Sequence, residues 1–328
     1  MWRGVLFALM AGLMWGLVFV GPLLLADYPA SLLAFGRYLA FGLIAIVLAW
    51  FDRRSILSLR RSDWLAALKL ALVGNFLYYI CLASAIQFAG APIPTMIIGT
   101  LPVVIAICAN LRHQGRDGRL PWQGLAPAIL IILLGLVCVN HSELQRLSQS
   151  QTSLSSYLSG IALAIAALIC WTWYPIRNAD WLRAHPERHP RSWASAQGLV
   201  GLPIALLGYA LFWWYTRAYH PEFAMPLGPT PWRYLGLMLA IGLFASWLGT
   251  LCWNEASQRL PTALVGQLIV FETLAALAYA FILRGVWPEN ATWAGVFLLV
   301  IGVVVAVKIK PVARTEPVVN AELGENRR

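Results

Sequence analysis

WNEASQRLPTALVGQLIVFET, running from Trp253 to Thr273, decides how this chain is read. Two apolar arms meet at a turn, Arg259-Leu260-Pro261, and the second arm holds one acid, Glu272, near the middle of about 23 otherwise uncharged residues. That length suits an α-helix crossing the ~30 Å apolar core of a bilayer. A charged side chain at such depth costs about 2.5–3.5 kcal/mol on insertion scales, so an acid kept there is read first as functional. A shadow of the stretch, ICLASAIQFAGAPIPTMIIGTLP, spans Ile80 to Pro102. Cys81, Ala85, Gln87 and Pro102 precede Cys252, Ala256, Gln258 and Thr273 by 171 residues, and the mate of Glu272 is Leu101. The pattern is that of a duplicated membrane protein with an acid in one copy only.

Composition agrees. Of 328 residues, 60% are hydrophobic and 12% charged, against about 25% charged in soluble domains. The net charge of +10 raises nucleic acid as a partner, but the basic residues sit in short loops between apolar runs and form no stripe. The five cysteines all lie inside apolar runs without C-x-x-C spacing, so neither a zinc site nor a disulfide framework is expected.

Ten spans are expected, at roughly 4–25, 30–51, 64–88, 91–111, 122–140, 155–177, 193–216, 232–257, 261–283 and 291–310. The first is read as a retained helix rather than a cleaved signal, because it lacks an A-x-A site and further spans follow. With the N-terminus inside, 18 Lys and Arg fall on the cytoplasmic side and 4 outside, which places both termini in the cytoplasm of a multi-pass bacterial inner-membrane protein. The tail 311–328 is polar and reads as disordered. The loops 141–153 and 218–231 are assigned to the outer side.

The second half begins like the first. GVLFALMAGLMWG starts at Gly4 and GIALAIAALICWT at Gly160, with Trp15 and Trp171 eleven residues after those glycines. Trp122 and Gly124 precede Trp293 and Gly295 by the same 171 that relates the hairpins. The expected fold is therefore all-α, with ten transmembrane helices in two five-helix repeats, 4–140 and 155–310. An odd number of spans per repeat turns the second copy upside down. That architecture puts a substrate site near the midplane between the repeats.

These residues also carry a family resemblance. The five-span repeat with its glycine-to-tryptophan start resembles EamA repeats of the drug/metabolite transporter superfamily. So do TLPVVIAI (100–107), VFETLAALAYAFIL (270–283) and WAGVFLLVIGVVVA (293–306). Within it, YYICLASAIQFAG (78–90) and the tryptophan-rich second half are similar to aromatic amino-acid exporters of the YddG type. The resemblance implies a carrier exporting amino acids or related metabolites. It also implies a central cavity lined by helices 1–4 and 6–9, with helices 5 and 10 peripheral. Two features depart from the family. Glu272 is followed by Thr273 where the family often has Glu-Pro, and neither fourth nor ninth helix ends in Leu-Gly-Glu.

Glu272 is the first candidate for a substrate contact. As a functional group it is the counter-charge for a substrate amine or a proton site; as a structural one it pairs with Arg37 or bonds to Gln267. Arg37 lies about eight residues, or ~12 Å, in from the outer end of its span, and suits a substrate carboxylate or Glu272 itself. Trp15 and Trp171 are too deep for an interfacial belt, unlike Trp2, Trp50, Trp64, Trp232 and Trp287. They either pack helices together or line a cavity that accepts aromatic groups. Tyr174 shares a face with Trp171. Trp247, Asn254 and Gln258 line one face of helix 8, and Asn75, Tyr78 and Tyr79 mark helix 3.

No cofactor or metal is expected: His185-Pro-Glu187-Arg-His189 lies in a basic loop with no helical spacing of ligands. An enzyme would need a nucleophile and base, or metal ligands, at membrane depth. No His or Asp lies mid-span. The reading is a secondary transporter whose partners are the bilayer and a small molecule, an aromatic or other neutral amino acid. A drug or dye efflux carrier and, in another class, a membrane receptor or assembly protein are the alternatives.

Overall fold

A computed structural model describes residues 1–25, 27–89, 92–112, 120–139, 141, 154–285 and 287–310. The tail 311–328 and nearly all of the loop 141–153 lie outside these residues. Among the described residues every regular element is a helix. Eight are long and apolar enough to span: α2 (Ala30–Phe51), α3 (Arg61–Ile86), α5 (Trp122–Val139), α6 (Leu154–Ala184), α7 (Pro190–Tyr219), α8 (Pro231–Arg259), α9 (Thr262–Leu283) and α10 (Asn290–Lys308). Two shorter apolar helices, α1 (Trp2–Gly16) and α4 (Leu101–Arg112), stand where the first and fourth spans are expected. α1 continues through a 3₁₀ turn into Val20–Leu24, and Pro92–Gly99 precedes α4.

Contacts between the halves recur with the halves exchanged. α1 packs on α8 and α9, as α6 packs on α3 and α4. α2 touches α8 as α7 touches α3, while α2–α7, α4–α9 and α5–α10 pair directly. The glycines that open each half are close-approach points. A Cβ on Gly4 would stand 2.7 Å from Leu260 Cγ, and one on Gly160 would overlap Ala89, which precedes Leu260 by 171. In an apolar medium helices gain nothing from hiding apolar faces, so small residues that let backbones approach are what hold them.

Irregularities recur too. α3 contains a π-helical segment at Leu72–Leu77, and α8 one at Gly242–Leu248; with the 171 offset these coincide to within a residue. α9 breaks at Ile269 between Thr262–Leu268 and Val270–Arg284, and the fourth expected span breaks at Thr100. Sequence periodicity cannot register a π turn, which adds one residue without altering composition.

The outer faces are bare hydrocarbon. Leu43, Ile46 and Val47 on α2, Leu130 and Leu134 on α5, and Phe297 and Ile301 on α10 are exposed. Contiguous patches of this kind call for an apolar partner, here the bilayer. Trp2, Trp50, Trp232 and Trp287 are exposed near helix ends, whereas Trp64 is half-buried against the cluster around Leu70 and Trp181.

One end of the bundle is ionic. Asp52 meets Arg191 at 3.1 Å and accepts from Ser192; Asp63 meets Arg188 at 3.5 Å; Asp180 lies 3.4 Å from Arg112. Burial pushes the Asp52 carboxyl up, but the bonds from Ser192 and Arg191 outweigh it and hold the group below its ordinary 3.8. His185 joins this belt, stacked on Trp181 with Nε2 4.0 Å from Asp63.

Candidate functional site

Because Gly4 and Gly160 seat α1 and α6 in matching positions, the tryptophans eleven residues later converge. Trp15 and Trp171 meet edge to face, 5.5 Å between centroids at 87°. Trp253 of α8 tilts against Trp15 at 5.0 Å, and Trp171 also touches Tyr78 at 6.1 Å and Tyr174 at 5.8 Å. Each such aromatic pair contributes about 0.5–1.5 kcal/mol beyond area burial. The cluster joins the two halves at its centre. Trp253 is the member that sequence reasoning missed, since its neighbour Asn254 drew attention as the polar residue.

Glu272 sits in the first turn of the helix that restarts at Val270, its amide bonded to Ile269 O at 2.9 Å. The restarted helix points its positive end at this turn, a favourable place for a carboxylate. Across from it, α1 has Gly12, where a Cβ would lie 3.0 Å from the Glu272 nitrogen. Glu272 is half-buried and acts electrostatically on Tyr78, and Arg37 acts on it. The pairing considered from the sequence is not a contact one: among the described residues Arg37 has no carboxylate within 4.0 Å.

Arg37 instead donates from Nε to Ser246 Oγ at 2.9 Å, within the π segment of α8. Its charge borders a cavity of about 70 Å³ lined by Tyr38, Tyr79, Val18, Leu33 and Met238 among others. Tyr79 spans the cavity rim to donate to Ala30 O at 2.7 Å. Ser246 is a second residue that the sequence did not flag. Its signal was the offset of 171 from Asn75, which puts a polar residue in each π segment.

Other sequence candidates are placed differently. Trp247 Nε1 donates to Ser195 Oγ at 3.0 Å and Asn254 Nδ2 to Pro190 O at 3.3 Å, so both fasten α8 to α7 and lie apart from the aromatic cluster. Gln258 Nε2 reaches Arg188 O at 3.4 Å on the same side. Tyr174 keeps its ring against Trp171 while its hydroxyl donates to Gln197 Oε1 at 2.8 Å. Asn75 is half-buried in its π segment. Gln267 is fully buried, with no hydrogen-bond partner for either amide atom.

Comparison with known proteins completes the picture. The profile of the EamA-like transporter family matches residues 2–141. The inner membrane protein YtfF of Escherichia coli (strain K12) is 54% identical over 308 residues, covering 94% of this chain and 96% of the relative. The chain belongs to the EamA-like transporter family. It is a multi-pass inner-membrane protein of the drug/metabolite transporter type, and EamA proteins are transporters, not enzymes. A solved crystal structure only 18% identical shares the fold, with a TM-score of 0.72 over 92% of this chain and 96% of its own.

Proposed function

We propose that this EamA protein is a ten-span carrier of two inverted repeats, with both termini in the cytoplasm, that exports an aromatic or other neutral amino acid by alternating access. The observation that carries the reading is the aromatic cluster at the centre, flanked by one acid and one arginine that do not pair with each other in contact. A zwitterion needs both charges. Glu272 meets the ammonium, Arg37 offers its remaining N–H groups to the carboxylate, and Trp15, Trp171 and Tyr78 take the side chain. The exchange of contacts between halves supports the inverted arrangement, which turns one opening into the other by rocking. The basic end, with Arg53, Arg188 and Arg259, is the cytoplasmic one under the charge rule.

Uptake of labelled Phe, Trp, Thr and Met into proteoliposomes tests it. Flux of at least one above empty vesicles is expected; none for any of the four removes the amino-acid reading. A drug or dye carrier would show instead as restored resistance in a host lacking its own pumps.

A further inference from the structure

At the basic end of the bundle, side chains of α6, α7 and α8 make one buried hydrogen-bonded set with Asn178 at its hub. Asn178 Oδ1 accepts from Trp193 Nε1 at 2.8 Å and from Gln197 Nε2 at 3.3 Å, while its Nδ2 donates to Asn254 Oδ1 at 2.8 Å. Tyr174 extends the set through Gln197, and Asn254 through Pro190 O. Asn178, Trp193 and Asn254 are fully buried, and Trp181 is stacked flat on Trp193.

On the same and adjoining helices several polar atoms are buried without a hydrogen-bond partner, among them Thr172 Oγ1 on α6, Trp253 Nε1 and Ser257 Oγ on α8, and both amide atoms of Gln267 on α9, with Thr216 Oγ1 toward the far end of α7. Native interiors pair nearly all such groups, so each exception asks for an explanation. Their helices pack on one another around α1 and α6. Groups that are orphaned in one arrangement of a moving protein are explained if they meet water or solute in the other.

The mates of these residues in the other half cannot form such a set, and the opposite end is fastened by different groups, Tyr28 donating from its hydroxyl to Leu227 O at 2.9 Å and Tyr234 from its own to Leu32 O at 3.0 Å. Under the Gly4-to-Gly160 match, Asn178 corresponds to Pro22 and Tyr174 to Val18; at the 171 offset Asn254 corresponds to Ala83. Proline, valine and alanine side chains form none of these bonds. Val18 lines the small cavity beside Arg37 instead.

We infer that the Asn178-centred set is the cytoplasmic gate of the carrier, closed in this structure, and that Gln267, Trp253 and Thr172 line the path that opens to a small polar solute when it parts. The inference rests on the carrier reading above but needs no particular substrate. Breaking a bond that exists in one state alone shifts the balance between states by that bond's worth.

The test is alkylation of introduced cysteines by N-ethylmaleimide in lipid nanodiscs, resolved by peptide mass spectrometry, with the native cysteines as internal references. In the otherwise native chain, Val18→Cys reacts and Gln267→Cys is protected. Adding Asn178→Ala speeds reaction at position 267 by about tenfold and slows it at position 18. Trp193→Phe, which removes one donor and keeps the ring, shifts both rates the same way by less. Unchanged reactivity at 267 in both variants overturns the gate, as does a rise at both positions, which reports loosened packing. Alkylation uses no substrate, so absence of amino-acid flux would remove the substrate reading and leave this one standing.

Discussion

The indole of Trp15 meets the indole of Trp171 edge to face, with ring centroids 5.5 Å apart. These are the same residue of the two halves, eleven positions after Gly4 and after Gly160. A residue and its mate can touch only beside the axis that relates them. Under the proposed inverted-repeat arrangement, that is the region where a substrate site is expected.

Replacing either tryptophan by alanine is expected to cost about 3–5 kcal/mol of stability. In a double-mutant cycle of unfolding free energies in bicelles, the pair should couple by about 0.5–1.5 kcal/mol. Additive effects would mean that the two rings are neighbours without interacting.

Glu272→Gln separates a ligand group from a structural one. If the acid meets a substrate amine, the substrate-induced rise in melting temperature falls by the equivalent of roughly 10- to 100-fold in affinity. The ligand-free protein melts at the same temperature or higher, because a carboxylate at membrane depth is a burden. A lower ligand-free melting temperature would show that the acid supports the fold.

Arg37→Lys keeps the charge and loses the planar fork, and is expected to raise the half-saturating concentration by about tenfold. Ser246→Ala removes the acceptor that orients Nε and should give a smaller rise in the same direction. Flux measurements across a concentration series check both.

Two glycine substitutions should have opposite signs. Gly16→Ala drives a methyl to 2.7 Å from Ala275 Cβ and is expected to destabilise by about 1–3 kcal/mol. Gly236→Ala enters open space and should stabilise by roughly 0.5–1 kcal/mol through helix propensity. Thermal melts of the two side by side decide it.

Asp52 predicts a pH response. Its folded-state pKa lies below the ordinary 3.8, so the stability it contributes is fully present above that value. It is lost as pH falls through the lower folded value. Melting temperature should drop in that acid window, and less so in Asp52→Asn. Equal slopes would assign the acid sensitivity to other carboxylates.

Span positions were legible because each is a long apolar run, and α2, α5 and α10 fall within two residues of expectation. The ends of α6 were not. The sixth span was expected to stop near 177, whereas α6 continues to Ala184, because a helix that leaves the bilayer becomes mixed in composition without ceasing to be a helix. Asn178 was thereby read as loop, and the hub of that buried polar set was missed. Trp15, Trp171, Tyr78 and Tyr174 do come together. Trp247 and Asn254 share a helical face, as their spacing indicates, yet that face meets α7. Periodicity orients a residue about its own helix and says nothing of which neighbour stands opposite.

The two π segments have a further consequence. A π turn in a helix amounts to one inserted residue whose neighbours stay in register above and below. Insertions at corresponding places, Leu72–Leu77 and Gly242–Leu248, are more simply inherited once than acquired twice. Under the proposed duplication, the ancestral single-repeat chain already carried this bulge and met a second, oppositely oriented copy of itself across it. Under that same proposal, Glu272 opposite Leu101 and Asn178 opposite Pro22 mark positions where the two copies diverged after fusion.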